Sequence, residues 1–209
     1  MSDRRRLLVG GGAALFLTRC GAPAEKAEAS ARSLPADPRA AKLIAAARRQ
    51  LGVTNSYDSG YARLAFPNGD VPRERGVCTD VVIRAYRDAF ALDLQSLVNA
   101  DMRAAFAAYP RNWGLGAPDR NIDHRRVPNL ATWLRRRKAA RPIPPLASGW
   151  QPGDIFTALV DGKLPHIGLV SDRPGRRAPL IIHNIGAGAR EEDALLDWPI
   201  TGRFRWAVG

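Results

Sequence analysis

The sequence predicts an α+β domain, with helices gathered in the first part of the chain and an antiparallel β-sheet in the last. Three observations carry the prediction. Between Asp37 and Ala139, apolar residues recur at the three- and four-residue spacing of a helix face. From Ile155 onward, short β-branched runs alternate with turn residues. A proline-rich connector, Pro142 to Pro152, separates the two halves. Elements segregated in this way define the α+β class rather than the alternating α/β class.

The helices are punctuated by their own sequence. Asp37-Pro38 supplies an N-cap and a first-turn proline for a helix through Leu43, Ile44, Ala47 and Leu51, ending at Gly52. Residues 53–76, with Pro67, Asn68-Gly69 and Pro72, read as a long turn-rich loop. A helix from Cys78 to Phe90 places Val82, Tyr86 and Ala89 on one face. Another runs from Leu94 to Ala108 and stops before Pro110. Residues 109–126 are irregular, and Val127 to Ala139 forms a further helix with Leu130, Trp133 and Leu134 on its apolar side. In the second half, Pro152-Gly153-Asp154 launches a strand over Ile155–Val160, and Asp161-Gly162 is a hairpin turn. Strands follow over His166–Ser171 and Pro179–Asn184, with shorter ones near Leu195-Leu196 and Phe204–Trp206.

Residues 1–24 read as an export signal. Arg4, Arg5 and Arg6 precede a short apolar stretch, Leu7 to Thr18, containing Gly10, Gly11 and Gly12. The stretch is shorter than the roughly 20 residues a spanning helix needs. Paired arginines before a weakly hydrophobic segment resemble a twin-arginine signal. Two processing sites remain open. Leu17-Thr18-Arg19-Cys20-Gly21 resembles a lipobox with Cys20 as the lipidated residue, although Arg19 stands where a small residue is usual. Ala22-Pro23-Ala24 has the small-x-small form of ordinary cleavage. Residues 25–36 read as a linker and residues 37–209 as the domain. The expected location is the periplasm or cell envelope, with membrane contact only through a lipid anchor.

With 209 residues and 45% hydrophobic content, the chain is long enough for one substantial core. Its 32 Lys and Arg against 20 Asp and Glu give a net charge of +12. Such a surface attracts nucleic acid, anionic lipid or an anionic wall polymer. No nucleic-acid-binding motif accompanies the charge, and the densest run, Arg135-Arg136-Arg137-Lys138, reads as a solvated basic face. The partners expected are therefore a cell-wall peptide or another amide or ester substrate, met by a monomer. Two cysteines cannot build a disulfide framework, and once Cys20 is processed Cys78 is the only thiol left.

Cys78 opens a helix, where the macrodipole and unpaired N–H groups favour a thiolate. A free thiol has a pKa of about 8.5, and one paired with histidine at a helix start reaches about 3–4. Two of the three histidines of the chain, His166 and His183, fall on strand segments downstream. His166 is the candidate base. Either His183 or Asn184 is the candidate group that holds its ring, and because neighbouring strand residues face opposite ways only one of them reaches it. The Cys78 N–H is a natural donor to an oxyanion. Asp80 in the first helical turn and His124 in the polar segment Asp119–Arg126 are candidates for oxyanion or substrate contacts, and that segment reads equally as an ion-pair network. No CxxC or HxxxH pair exists to seed a metal site, so neither a metal nor an organic cofactor is expected.

The strings Pro152-Gly153-Asp154-Ile155, His166-Ile167-Gly168-Leu169-Val170 and Ile182-His183 resemble the strands of the NlpC/p60 superfamily of papain-like cell-wall peptidases. Three longer strings resemble the family catalogued as domain of unknown function 1287: Gly76–Tyr86, Pro118–Leu130 and His183-Asn184-Ile185-Gly186. The likeness covers roughly residues 40–207. Val77-Cys78-Thr79 departs from the superfamily's usual Asp-Cys-Ser. The resemblance implies a papain-like fold with its nucleophile at a helix start and a Cys78-His166-His183 triad. It favours His183 over Asn184 and points to Tyr57, ahead of the cysteine, as a second oxyanion donor. It also implies amide hydrolysis in peptidoglycan stem peptides through a thioester. An acyltransferase or esterase on the same scaffold, and a non-catalytic envelope-binding module, are the alternatives.

Overall fold

The computed structural model describes residues 36–206. The export signal, the cleavage motifs and Cys20 lie outside the described residues. Among the described residues no helix is long and apolar enough to cross a membrane.

Helix α1 (Pro38–Arg48) starts as its sequence dictates, with Asp37 accepting the Arg39 N–H at 2.7 Å and proline in the first turn. It ends at Arg48 rather than Leu51. The chain tightens into turns there, and Gly52 takes the left-handed φ of +73°. Helices α2 (Cys78–Phe90) and α3 (Leu94–Ala105) follow, the latter extended by a 3₁₀ turn at Phe106–Ala108. Helix α4 (Val127–Arg136) stops short of the expected Ala139. The long loop before Cys78 contains a small parallel pair, β1 (Ser56–Tyr57) and β2 (Arg75–Gly76). A buried arginine from the middle of α2 supplies what this loop lacks in apolar core. The Arg84 guanidinium donates to Asp70, to Thr54 Oγ1 at 3.1 Å, and to the carbonyls of Val71 and Arg75 at 3.1 and 3.0 Å. Backbone acceptors that would otherwise be orphaned are thereby satisfied.

The main sheet comprises β3 (Ala140–Arg141), β4 (Ile155–Val160), β5 (Leu164–Pro174), β6 (Pro179–Asn184), β7 (Ala189–Glu192) and β8 (Ile200–Phe204). Its order is β3-β8-β4-β5-β6-β7, antiparallel throughout. Asp161 and Gly162 both take positive φ, the hairpin geometry expected between β4 and β5. Strands β3 and β7 are additions to the sequence expectation. The strand expected at Leu195-Leu196 is absent: Leu195 is buried from a turn instead.

Alternation along the strands gives the sheet two lined faces. Ile155, Ile167, Leu169, Ile182 and Phe204 pack with α1, α2 and α4 in one continuous core. Each such side chain contributes about 1.5–3 kcal/mol on burial. Phe156, Val170, Ile181, Trp150 and Leu195 form a second layer, against which Trp198 packs. Helix α2 thus lies against one face of β5, and the second layer covers the other.

Candidate active site

The start of α2 is fixed from several sides. Val77 is the extended N-cap residue, and Asp80 reaches back to accept its N–H at 2.7 Å. Both Asp80 oxygens are also held by Arg125, from Nε at 3.0 Å and Nη2 at 2.9 Å. Arg125 in turn donates to the Asp58 carbonyl, and its own carbonyl accepts the Thr79 hydroxyl. This saturated cluster corrects the expectation for Asp80: both oxygens are already occupied, so it caps and ties the helix rather than meeting substrate. Gly76 is required by the same crowding, since a Cβ there would stand 3.0 Å from Asp80 Oδ2 and 3.2 Å from Arg84 Nη1.

Cys78 is the first residue of α2 and is only 3% exposed. The N–H groups of Ile167 and Thr79 and the hydroxyl of Tyr57 lie around its sulfur and pull its pKa down. Burial nevertheless dominates and pushes the thiol up to about 11, with the Asp80 charge adding to the rise and the three donors only partly offsetting it. The thiolate expected from the helix dipole is therefore not the resting species. The sulfur borders a cleft of about 650 Å³, also lined by Tyr57, Tyr61, Trp113, Arg126 and Pro165. Tyr57 is 41% exposed, and burial of its ring together with the neighbouring sulfur raises its phenol pKa. The Arg126 guanidinium stacks 4.0 Å from the Trp113 ring centroid and pairs with Asp123.

The two strand histidines meet each other. His166 Nε2 lies 2.8 Å from His183 Nδ1, and His183 Nε2 lies 2.8 Å from Glu192 Oε1. The rings stand edge to face at 5.0 Å, with Trp198 packed 5.5 and 5.8 Å from them. Strand alternation explains which groups meet. His183 faces the second layer with His166, whereas Asn184 faces the helices and donates to the Gly76 carbonyl at 3.0 Å. Asn184 therefore anchors the approach to Cys78 instead of holding the imidazole. Gly168, two residues after His166, makes room for the pair: a Cβ there would come within 2.7 Å of Phe156 and 2.9 Å of His183 Cβ.

The expected convergence of sulfur and imidazoles is met only in part. Ile167 presents its side chain to the helices and its N–H to the sulfur, while the His166 ring turns into the layer of Phe156 and Trp198. In the structure no hydrogen bond joins Cys78 Sγ to either ring. Burial holds the His166 pKa down at about 3, helped by the His183 charge, and lowers that of His183 as well. His124 is a correction. It sits in the 3₁₀ turn Asp123–Arg125 between α3 and α4, is 2% exposed with Nδ1 unpartnered, and does not line the cleft. Burial pushes its pKa down to about 4.

Sequence reasoning missed Glu192 and Trp198. The signal for Glu192 was the alternation of a strand not recognised as one. On β7, Glu191 pairs with Arg48 of α1 while its neighbour Glu192 faces the histidines. Among the described residues no cluster of His, Cys, Asp and Glu has the form of a metal site.

The family model described as Domain of unknown function (DUF1287) matches residues 44–206. The chain is also 54% identical over 163 residues to a protein titled Uncharacterized protein YijF from Escherichia coli (strain K12), an alignment covering 78% of this chain and 79% of that relative. The family match spans Tyr57, Cys78, both paired histidines and Glu192, and on it the chain belongs to the DUF1287 family.

Proposed function

We propose that this chain is an exported cysteine hydrolase that cleaves amide bonds in peptidoglycan stem peptides on a papain-like, NlpC/p60-type fold. The observation that carries the reading lies at the start of β5. The Ile167 N–H meets the Cys78 sulfur, and the preceding residue, His166, heads a hydrogen-bonded line to His183. The resting pair is a neutral thiol and a neutral imidazole, because burial disfavours both charges. The reading requires the His166 ring to leave the layer of Phe156 and Trp198 and reach the Cys78 side of the sheet when substrate binds.

The thiol proton then passes to His166 as the sulfur bonds the carbonyl carbon and the carbonyl electron pair moves onto oxygen. The Cys78 N–H and the Tyr57 hydroxyl stabilise that oxyanion, each such donor supplying about 3–4 kcal/mol. Collapse expels the amine, which takes its proton from His166 and leaves a thioester. Water, deprotonated by His166, releases the acid and restores the thiol. Export to the periplasm or cell envelope rests on residues 1–24, with lipidation of Cys20 or ordinary cleavage as the route.

One observation favours a second reading, an envelope-binding module without turnover: the sulfur is buried and no sulfur–imidazole bond is formed at rest. Incubating the purified protein and its Cys78→Ala variant with purified peptidoglycan separates the two. New stem-peptide fragments from the unaltered protein alone support the hydrolase. Sedimentation of both with the wall, and fragments from neither, supports the module.

A further inference from the structure

We infer that Glu192 is a positioning residue that fixes the tautomers of both imidazoles, so that His166 keeps an unprotonated Nδ1. The inference gains its catalytic meaning from the hydrolase reading, but the geometry behind it does not depend on that reading.

A carboxylate can only accept hydrogen bonds. Glu192 Oε1 lies 2.8 Å from His183 Nε2, so that nitrogen carries the hydrogen. A neutral imidazole has one donor and one acceptor nitrogen, which makes His183 Nδ1 the acceptor. The 2.8 Å contact from His183 Nδ1 to His166 Nε2 then places the hydrogen on His166 Nε2. The remaining nitrogen, His166 Nδ1, keeps its lone pair. One exposed carboxylate thereby sets the direction of two buried rings in series. Both rings are neutral at pH 7, since burial lowers both pKa values. The other charges facing His183 are those of Asp197 and Arg190, and neither donates to or accepts from its ring nitrogens. Trp198 packs against the ring pair without contributing a bond.

On the hydrolase reading the ring must reach the sulfur, where the S–H bond of Cys78 breaks as an N–H bond forms at His166 Nδ1. Were the ladder reversed, His166 Nδ1 would carry a hydrogen and could not take the thiol proton. That loss corresponds to removing a general base, about 10²–10⁴-fold in turnover.

The test is long-range ¹H–¹⁵N imidazole spectroscopy on the full chain at pH 7, with each ring assigned by single His→Gln variants. The expected result is the Nε2–H tautomer on both His166 and His183. In Glu192→Ala no acceptor is left for His183 Nε2–H, and both rings are expected to lose the fixed Nε2–H form with an unchanged fold. An Nδ1–H tautomer on His166 in the unaltered protein overturns the inference and needs no variant that might fail to fold. So does a Glu192→Ala protein whose tautomers stay as they were. Because the spectra require no substrate, the expected tautomers in a protein that cleaves no wall peptide support this inference while sinking the hydrolase reading.

Discussion

Two polar clusters lie within the fold, and they differ in how they end. At the start of α2, Asp80 and Arg125 form a closed set: every oxygen of the carboxylate and most of the guanidinium donors are met inside the protein. Across the sheet, His166, His183 and Glu192 form an open line, with solvent at the carboxylate and an unused ring nitrogen at the other extremity. Both clusters contain groups that would be costly to bury unpartnered. Only the open one retains something to offer a reacting molecule. Burial alone would not have told the two apart, since Asp80, Arg125, His166 and His183 are all buried. The unfilled valence at one end tells structural bonding from chemical readiness.

Substitutions can break this comparison, the largest effect first. His166→Ala removes the free end of the open line and is expected to slow release of wall peptides about 10²–10⁴-fold. Chromatography of the digest measures it, and an undiminished rate would place the base elsewhere. Asp80→Ala opens the closed set and leaves Arg125 buried without its partner, at a cost of about 3–5 kcal/mol of stability. Urea unfolding would show a lower midpoint, and a midpoint within error of the parent would mean the pair contributes nothing.

The smallest effect is in pH. His166 and His124 are held neutral at about 3 and about 4, against an ordinary value of 6.5. Below pH 6.5 the unfolded chain takes up protons on these rings and the folded chain does not, until each folded value is reached. Stability therefore falls as pH drops through this window, by up to about 1.4 kcal/mol per pH unit for each ring. Unfolding midpoints from pH 7 to pH 4 should show the slope, and His124→Gln should reduce it without abolishing it. A flat profile would contradict the neutral assignment.

Much of this arrangement was legible in the chain. The bounds of α2 followed from apolar spacing after Cys78, and β4 and β6 from β-branched runs beside turn residues. Strand alternation allowed only one of His183 and Asn184 to reach the ring, and the resemblance favoured His183, the one that meets it. What escaped was set by tertiary pairing. Strand β7 reads Ala-Arg-Glu-Glu, a sequence without apolar alternation, and it is a strand because β6 offers it an edge. Glu192 was hidden with it. The role of Asp80 was hidden because Arg125 is brought to it by the packing of the 3₁₀ turn against α2 and α3, which no local pattern encodes. The turn of the His166 ring away from the helices was foreseeable from alternation with Ile167, but only once the helix-covered face was known.

Trp198 stands at the rim of the second layer, half-buried, with its indole against both rings. An aromatic wall in that place denies bulk water a sideways route to the nitrogen-to-nitrogen contact. Glu192, its side chain 39% exposed, is left as the end of the line that meets water.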